Sequence, residues 1–413
     1  MRLSWFIARR IGNGKKGRLA SLGNVIAVFS VAISIIVIIV SISVSRGFRK
    51  EILEKMSAFT GDVNVSVMAP SATSDYETQE YSLPALKARE DVLGLPYVTS
   101  FQAMSLRPGM IKTEDNIQGV MMKGVDSTFN WDFYSRCLEE GTLPQEGLDD
   151  YALISRRMAD LLGFSAGDRA TFYFVGSQVK VRRLTIAGIY SAQLENLDKL
   201  YVICSKKMVN GLNGWDEDRA SAYQITFSDH SEKDYPQRKQ QIAQLIYQKL
   251  DEGQYMRISG AYEDMSNLVD WLRLLDMNVL IILILMIAVA AFNMVSCVLI
   301  ILFENISTIG VLKALGMKNS GIRRVFLAKS SGIVFTGLVT GNVIALGLLL
   351  VQKYFRVLSL NPTNYFIDHV PVDISWWSII AADVISFIAI MVILMIPSHF
   401  ISKIQPAQTI KVK

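Results

Sequence analysis

Apolar residues along this chain are gathered into four long runs rather than spread evenly. Residues 25–44 (VIAVFSVAISIIVIIVSISV) carry no charge, 277–303 repeat the pattern, 332–351 follow, and 374–396 hold a single acid, Asp383. About 20 residues of helix match a hydrocarbon core of about 30 Å, whereas a helix buried in a soluble core rarely stays uncharged beyond about 14 residues. All four runs are therefore expected to span a membrane. The basic start ahead of the first run raises the question of a cleaved signal. That run is too long for a typical h-region, no small-x-small site follows it, and the chain continues as the charged stretch RGFRKEILEK. It reads as a retained anchor.

Between the first two runs the pattern changes. Strand-like stretches at 62–68, 169–175, 179–190, 200–204 and 223–227 alternate with helical spacing at 156–162 and 237–250, and 71–80 is a polar, turn-rich linker. The predicted fold class is a membrane protein with four transmembrane α-helices and a large α+β extracytoplasmic domain inserted between helices 1 and 2. The expected division is a basic cytoplasmic segment (1–24), helix 1 and a stalk (25–60), the periplasmic α+β domain (61–260), stalk and helix 2 (261–303), a cytoplasmic coupling loop (304–329), helix 3 (330–352), a periplasmic loop (353–373), helix 4 (374–397) and a cytoplasmic tail (398–413).

Flanking the domain, Phe48, Ile52, Met56 and Phe59 recur at helical spacing, as do Met265, Leu268, Leu272, Leu275 and Val279. The second series is a short heptad-like seam. Two readings fit: a stalk that carries the domain beyond the bilayer, or juxtamembrane helices that simply pack on it.

Charge fixes the expected orientation. Arg2, Arg9, Arg10, Lys15, Lys16 and Arg18 precede the first run, Lys313, Lys318, Arg323, Arg324 and Lys329 lie between the second and third, and Lys403, Lys411 and Lys413 follow the fourth. Basic loops stay in the cytoplasm, so both termini are expected inside, with Trp376 and Trp377 at the outer interface. The formal net charge of +5 is accounted for by these flanks, which leaves little for nucleic-acid binding. Three scattered histidines, His230, His369 and His399, and three cysteines, Cys137, Cys204 and Cys297, show no metal-ligand spacing, and no cofactor is expected. Cys137 and Cys204 fall in the outer domain, as a bridge or as two free thiols.

Within the runs, Gly337, Gly341 and Ala345 lie four apart on one helix face, a pattern that lets a neighbouring backbone approach closely. Asn293 and Asp383 are costly intramembrane polar groups. Val40, Val44, Phe48 and Met277 form apolar positions suited to ordinary helix packing.

The loop FENISTIGVLKALGMKNSGIRRVFLAKS is the most specific stretch. Ile306, Ile309, Leu312 and Leu315 give a short helix an apolar side, Gly316 is placed to end it in the left-handed region, and Asn319 or Ser320 can cap the next helix. Glu304, Ile309, Gly310, Lys313, Ala314, Leu315 and Gly316, with Ile322 and Phe326, resemble the E-x4-IG-x-LKALG-x5-I-x3-F signature of FtsX-like ABC permeases of the macrolide-exporter type. AVAAFNMVSCVLIILFEN, SVSRGFRKEI, ISRRMADLLGFSAGD, RRLTIAGIYSAQLENLDKLYVI and the ending HFISKIQPAQTIK are similar to elements of the lipoprotein-releasing branch of that family, so the resemblance spans nearly the whole chain.

The resemblance implies a permease subunit without enzymatic activity of its own. A separate cytoplasmic ABC ATPase dimer would dock on Glu304, Ile309, Gly310, Lys313, Ala314, Leu315 and Gly316, a second permease protomer, identical or homologous, would pair with it, and the cargo would be a lipoprotein taken from the inner membrane, with Val40, Val44, Phe48 and Met277 lining its entry or serving only helix packing. No G-x-x-x-x-G-K-[ST] occurs in the sequence. One departure stands out: only VGSQVK separates Phe174 from Val181, where one subunit type of the branch carries a long hairpin that recruits a periplasmic carrier protein. The chain thus resembles the cargo-receiving type or a homodimeric variant. The competing expectations are a macrolide-exporter-type efflux permease with an adaptor and outer-membrane tunnel, and a cell-division-type scaffold, which usually has a smaller outer domain.

Overall fold

In the computed structural model, residues 18–67, 82–113, 116–144, 150–176, 178–229, 234–250, 256–304 and 306–398 are described. The basic stretch before Arg18, the linker 71–80 and the tail with Lys403, Lys411 and Lys413 lie outside them. Among the described residues four helices are long and apolar enough to cross a membrane. They are α1 (Arg18–Thr60), α9 (Ser266–Glu304), α11 (Asn319–Phe355) and α13 (Trp376–Ser398). The third predicted run is the C-terminal part of a longer element, because α11 starts at Asn319 and the basic stretch Arg323 to Lys329 falls in its first turns.

The chain divides into two compact units, one made of 1–48, 272–359 and 369–413, the other of 49–271 and 360–368. The second unit is α+β. In chain order its elements are β1 (Val63–Val67), α2 (Arg89–Leu93), β2 (Val98–Lys112), β3 (Ile117–Val125), α3 (Asp132–Cys137), β4 (Leu138–Gly141), β5 (Tyr151–Ser155), α4 (Arg156–Leu162), β6 (Arg169–Phe174) and β7 (Lys180–Tyr190). There follow α5 (Glu195–Asp198), β8 (Tyr201–Ser205), α6 (Lys206–Asn213), β9 (Ala222–Phe227), α7 (Tyr235–Gln248), β10 (Met256–Gly260) and α8 (Ala261–Asp264).

The strands join in one sheet of order β10-β1-β9-β2-β3-β8-β5-β7-β4, with β6 bridging β2 and β7. The parallel pairs β3·β8 and β5·β7 need crossover connections, and the latter carries α4 within its crossover. There the local signals are plain: Ser155 Oγ accepts from the Met158 amide, and Gly163 closes the helix at φ 72°, an N-cap and a left-handed C-terminal glycine. Leu162, Met158 and Ala159 then fall among Ile154, Phe172, Phe174 and Ile186 in one of the domain's three hydrophobic clusters.

Sequence periodicity missed β2 and β3, the longest antiparallel pair. β2 contains Arg107, Pro108 and Gly109, and β3 contains Gly119, Lys123 and Gly124, residues that argue against strand on propensity alone. Pairing overrides them. The Pro108 to Gly109 step passes against Phe174, whose ring a Cβ at Gly109 would approach to 2.8 Å.

Candidate functional site

The loop singled out by the sequence lies between α9 and α11 and is itself helical, α10 (Ile306–Ala314). Its end is a Schellman motif: the Met317 amide donates to the Leu312 carbonyl and the Gly316 amide to that of Lys313, each at 3.0 Å, with Gly316 at φ 86°. Only a residue free of a Cβ penalty takes that conformation readily. The connection to α11 is therefore four residues long, Leu315 to Lys318. α11 starts after Lys318, which has extended backbone angles and makes no side-chain cap. That corrects the expectation for Asn319 and Ser320, which sit inside the first turn, because the Lys318 carbonyl already accepts the first helical bonds, from the Gly321 and Ile322 amides.

The helix has two unlike sides. Ile309 is buried with Ile322 and Phe326 in the membrane unit's core, and Leu312 and Met317 pack against it. Gly310 is buried and Lys313 half-buried, while Val311, Ala314 and Leu315 are exposed, Leu315 at 78%. Glu304 is the last residue of α9. An apolar, exposed edge thus lies beside Lys313, on a helix that is capped at its end and anchored through Ile309.

Above it, the glycine face of α11 meets α1. A Cβ at Gly337 would stand 2.7 Å from Val31 Cβ and one at Gly341 2.8 Å from the Ala32 carbonyl oxygen; Ala345 is wholly buried. Asp383 on α13 accepts from Asn342 Nδ2 of α11 at 3.1 and 3.0 Å, and Asn293 on α9 donates to Ser30 of α1. Each of the two intramembrane polar groups is thus matched across a helix pair by a residue the hydrophobic pattern did not flag, Asn342 and Ser30.

Val40 packs half-buried on the core, Val44 is half-buried, Phe48 is buried and Met277 is 54% exposed. Between the last two levels Ser45 Oγ donates to Asp276 at 2.8 Å, so α1 and α9 meet there. Next to it Arg46 holds Asp373 at 3.2 Å and Ser378 at 3.2 Å.

In the α+β unit the end of α1 is deeply set. Phe59 stacks edge-on or tilted against Phe133, Tyr134, Tyr190 and Tyr201 with centroids 6.1 to 6.4 Å away. Its carbonyl, one of the unpaired acceptors of a helix end, takes hydrogen bonds from Lys123 Nζ at 2.8 Å and Gln224 Nε2 at 2.9 Å. Burial brings the Lys123 ammonium down to about 7, and the same cause raises Asp198 to about 7 and the Cys137 thiol to about 11. Cys137 and Cys204 are not bridged, which settles the question their spacing left open.

Residues 280–406 match the FtsX-like permease C-terminal family and residues 25–253 the MacB-like periplasmic core domain family. The chain is 21% identical over 415 residues, 96% of its length and 95% of the relative's, to the lipoprotein-releasing system transmembrane protein LolC of Xylella fastidiosa strain 9a5c. It is 24% identical to the protein of that name from Neisseria meningitidis serogroup B over 436 residues, 99% and 98% of the two chains. It is 22% identical to lipoprotein-releasing system transmembrane protein LolE of Haemophilus influenzae over 442 residues, 99% of each.

Proposed function

We propose, from the premise that this chain belongs to the MacB-like periplasmic core domain family, that it is the permease subunit of an ABC transporter that releases lipoproteins from the outer leaflet of the inner membrane to a periplasmic carrier. The observation that carries this reading is similarity along nearly the whole chain to lipoprotein-releasing system transmembrane proteins of both names. The α+β unit is then periplasmic, inserted between the first two membrane helices, with both termini and α10 in the cytoplasm.

Hydrolysis is the work of a separate ATPase dimer docking on Glu304, Ile309, Gly310, Lys313, Ala314, Leu315 and Gly316. The exposed edge of Val311, Ala314 and Leu315 supports that role. A second protomer, identical or homologous, pairs through the membrane helices, and Val40, Val44, Phe48 and Met277 line the path by which cargo is admitted.

An acyl chain is held in a bilayer by about 0.8 kcal/mol per buried CH₂, so a multiply acylated protein leaves unaided at a negligible rate. A machine that admits the chains laterally and drives a periplasmic domain meets that need. The experiment is depletion of the protein followed by separation of the two membranes. Acylated cargo should accumulate in the inner membrane. Cargo reaching the outer membrane at the normal rate, while export of a small molecule falls, would replace this reading by the efflux one.

A further inference from the structure

The link between α11 and α13 contributes residues 360–368 to the α+β unit, although it adds no strand to the sheet. It is not a slack connection. Gln352 near the end of α11 bonds the Leu358 amide at 3.0 Å, the Leu358 carbonyl at 3.3 Å and the Val370 carbonyl at 3.1 Å. Val370 donates to Leu358 and Leu360 to Asp368, and Ser359 and His369 form an antiparallel bridge. The two limbs are therefore cross-braced up to the short helix α12 (Pro362–Tyr365).

The tip of this arm is held by one buried cation. Lys55 of α1, 4% exposed, donates to the Phe366 carbonyl at 2.8 Å and to Gln193 Oε1 at 3.0 Å. Both acceptors belong to residues in the left-handed region, Gln193 at φ 64° and Phe366 at φ 61°, where non-glycine residues persist only if their surroundings hold them. The Phe366 ring lies edge-on to Trp271 of α9 at 5.7 Å, and Ile367 beside it is 1% exposed. Glu51 and Asp368 are among the charges around the ammonium, yet its short contacts are to neutral oxygens. A lysine so placed is desolvated at a cost that an apolar side chain of like volume would avoid, while its three donors can join segments an apolar side chain could only touch.

We infer that Lys55 is a transmission residue: with Trp271 it fastens the arm between the third and fourth membrane helices to the roots of the first and second, so that movement of the domain draws on all four helices. The inference rests on the permease reading, in which a partner ATPase moves the domain. Without the clamp the domain would pull on α1 and α9 alone, and part of each ATP-driven stroke would be taken up by the loosened arm.

The test uses the full-length permease with its ATPase partner in proteoliposomes, with a triacylated model lipoprotein as cargo. Ile367→Cys, probed with a membrane-impermeant maleimide, reports whether the arm is seated. Lys55→Met keeps the stem and removes the donors; Lys55→Arg keeps donors. With Lys55→Met, labelling of Ile367→Cys should speed up at least tenfold and cargo released per ATP hydrolysed should fall at least fivefold, with hydrolysis itself within twofold of normal and both effects largely reversed in Lys55→Arg. A purely structural role would lower hydrolysis and release together. Should Lys55→Met fail to assemble, Trp271→Leu loosens the same tip from the other side and must show the same pair of changes. Unchanged labelling, or an unchanged ratio of release to hydrolysis, overturns the clamp. If the unaltered protein hydrolyses ATP but releases no lipoprotein, the lipoprotein reading falls while the labelling arm still decides the clamp.

Discussion

The two units of this chain are held together by different means. The α+β unit buries charged and polar side chains outright, with Arg107, Lys123 and Asp62 each at most 2% exposed and each provided with partners, such as Ser57 Oγ and the Phe227 amide for Asp62. Around them sit large aromatic side chains. The membrane unit closes on small residues and pairwise hydrogen bonds, and in α9 only 17% of the most apolar window is buried; Met277, Leu280, Ile281, Ile284, Leu285 and Phe292 all face outward. In water such a helix would be an aggregation hazard. In lipid, exposed leucine costs nothing and association depends on close backbone approach and a few polar pairs. The same chain thus obeys two packing rules, and α1 passes from one to the other between Gly47 and Phe59.

The sharpest way to break this contrast is at the domain end of α1. Phe59→Ala removes a ring contacted by four others and should cost about 3–5 kcal/mol, read as a lowered unfolding transition of the domain in the detergent-solubilised chain. The membrane helices, which owe nothing to that ring, should keep their thermal behaviour. A domain transition that stays put would mean that the aromatic cluster is not what seats α1.

At the membrane end the sensitive atom is a hydrogen. Gly341→Leu places a side chain where even a Cβ stands 2.8 Å from a carbonyl oxygen, and overpacking of this kind costs about 1–3 kcal/mol. Gly347→Leu on the same helix is the control, since nothing lies within 4 Å of its Cβ position, and it should stay within about 0.5 kcal/mol. Yield and melting temperature of the purified chain distinguish them; equal loss from both would show that glycine content, and not the α1 contact, is what matters.

How much of this was legible in the sequence follows from the same two rules. The four long helices were readable because lipid demands length and apolarity, both visible in one dimension. Gly316 was readable because a helix-ending glycine is local chemistry, although the cap offered at Asn319 or Ser320 fell one or two residues late. β2 and β3 were not, since Pro108, Gly119 and Gly124 are held in strand by cross-strand pairing, which residue propensity does not show. Nor were Lys55, Lys123, Gln193 and Phe366, whose partners lie 64 to 311 residues away. A lysine in a helical stretch reads as a solvated face until its acceptors are known. The sequence marks Asp383 as costly but cannot name Asn342 as its partner, because two helices must meet before an (i, j) pair exists.

The smallest predicted effect isolates one buried acid. Asp198, 4% exposed with Oδ1 lacking a partner in the described structure, is raised by burial to about 7 from 3.8, against the opposing pull of the Gln193 and Leu194 amides and Lys55. Between those two values the folded domain holds a proton that the unfolded chain has lost. Its contribution to stability is therefore present at low pH and is given up as pH climbs through about 7. Lys123, lowered to about 7, acts on the other side, adding stability as pH rises from there toward 10.5. Wild-type titration alone mixes the two. Asp198→Asn removes the first and leaves the second, so the variant should be about 1 kcal/mol more stable relative to wild type at pH 8 than at pH 6. Parallel denaturation curves for the two proteins at both pH values would show that Asp198 is not the group that titrates, and that the α+β unit solvates its buried carboxylate after all.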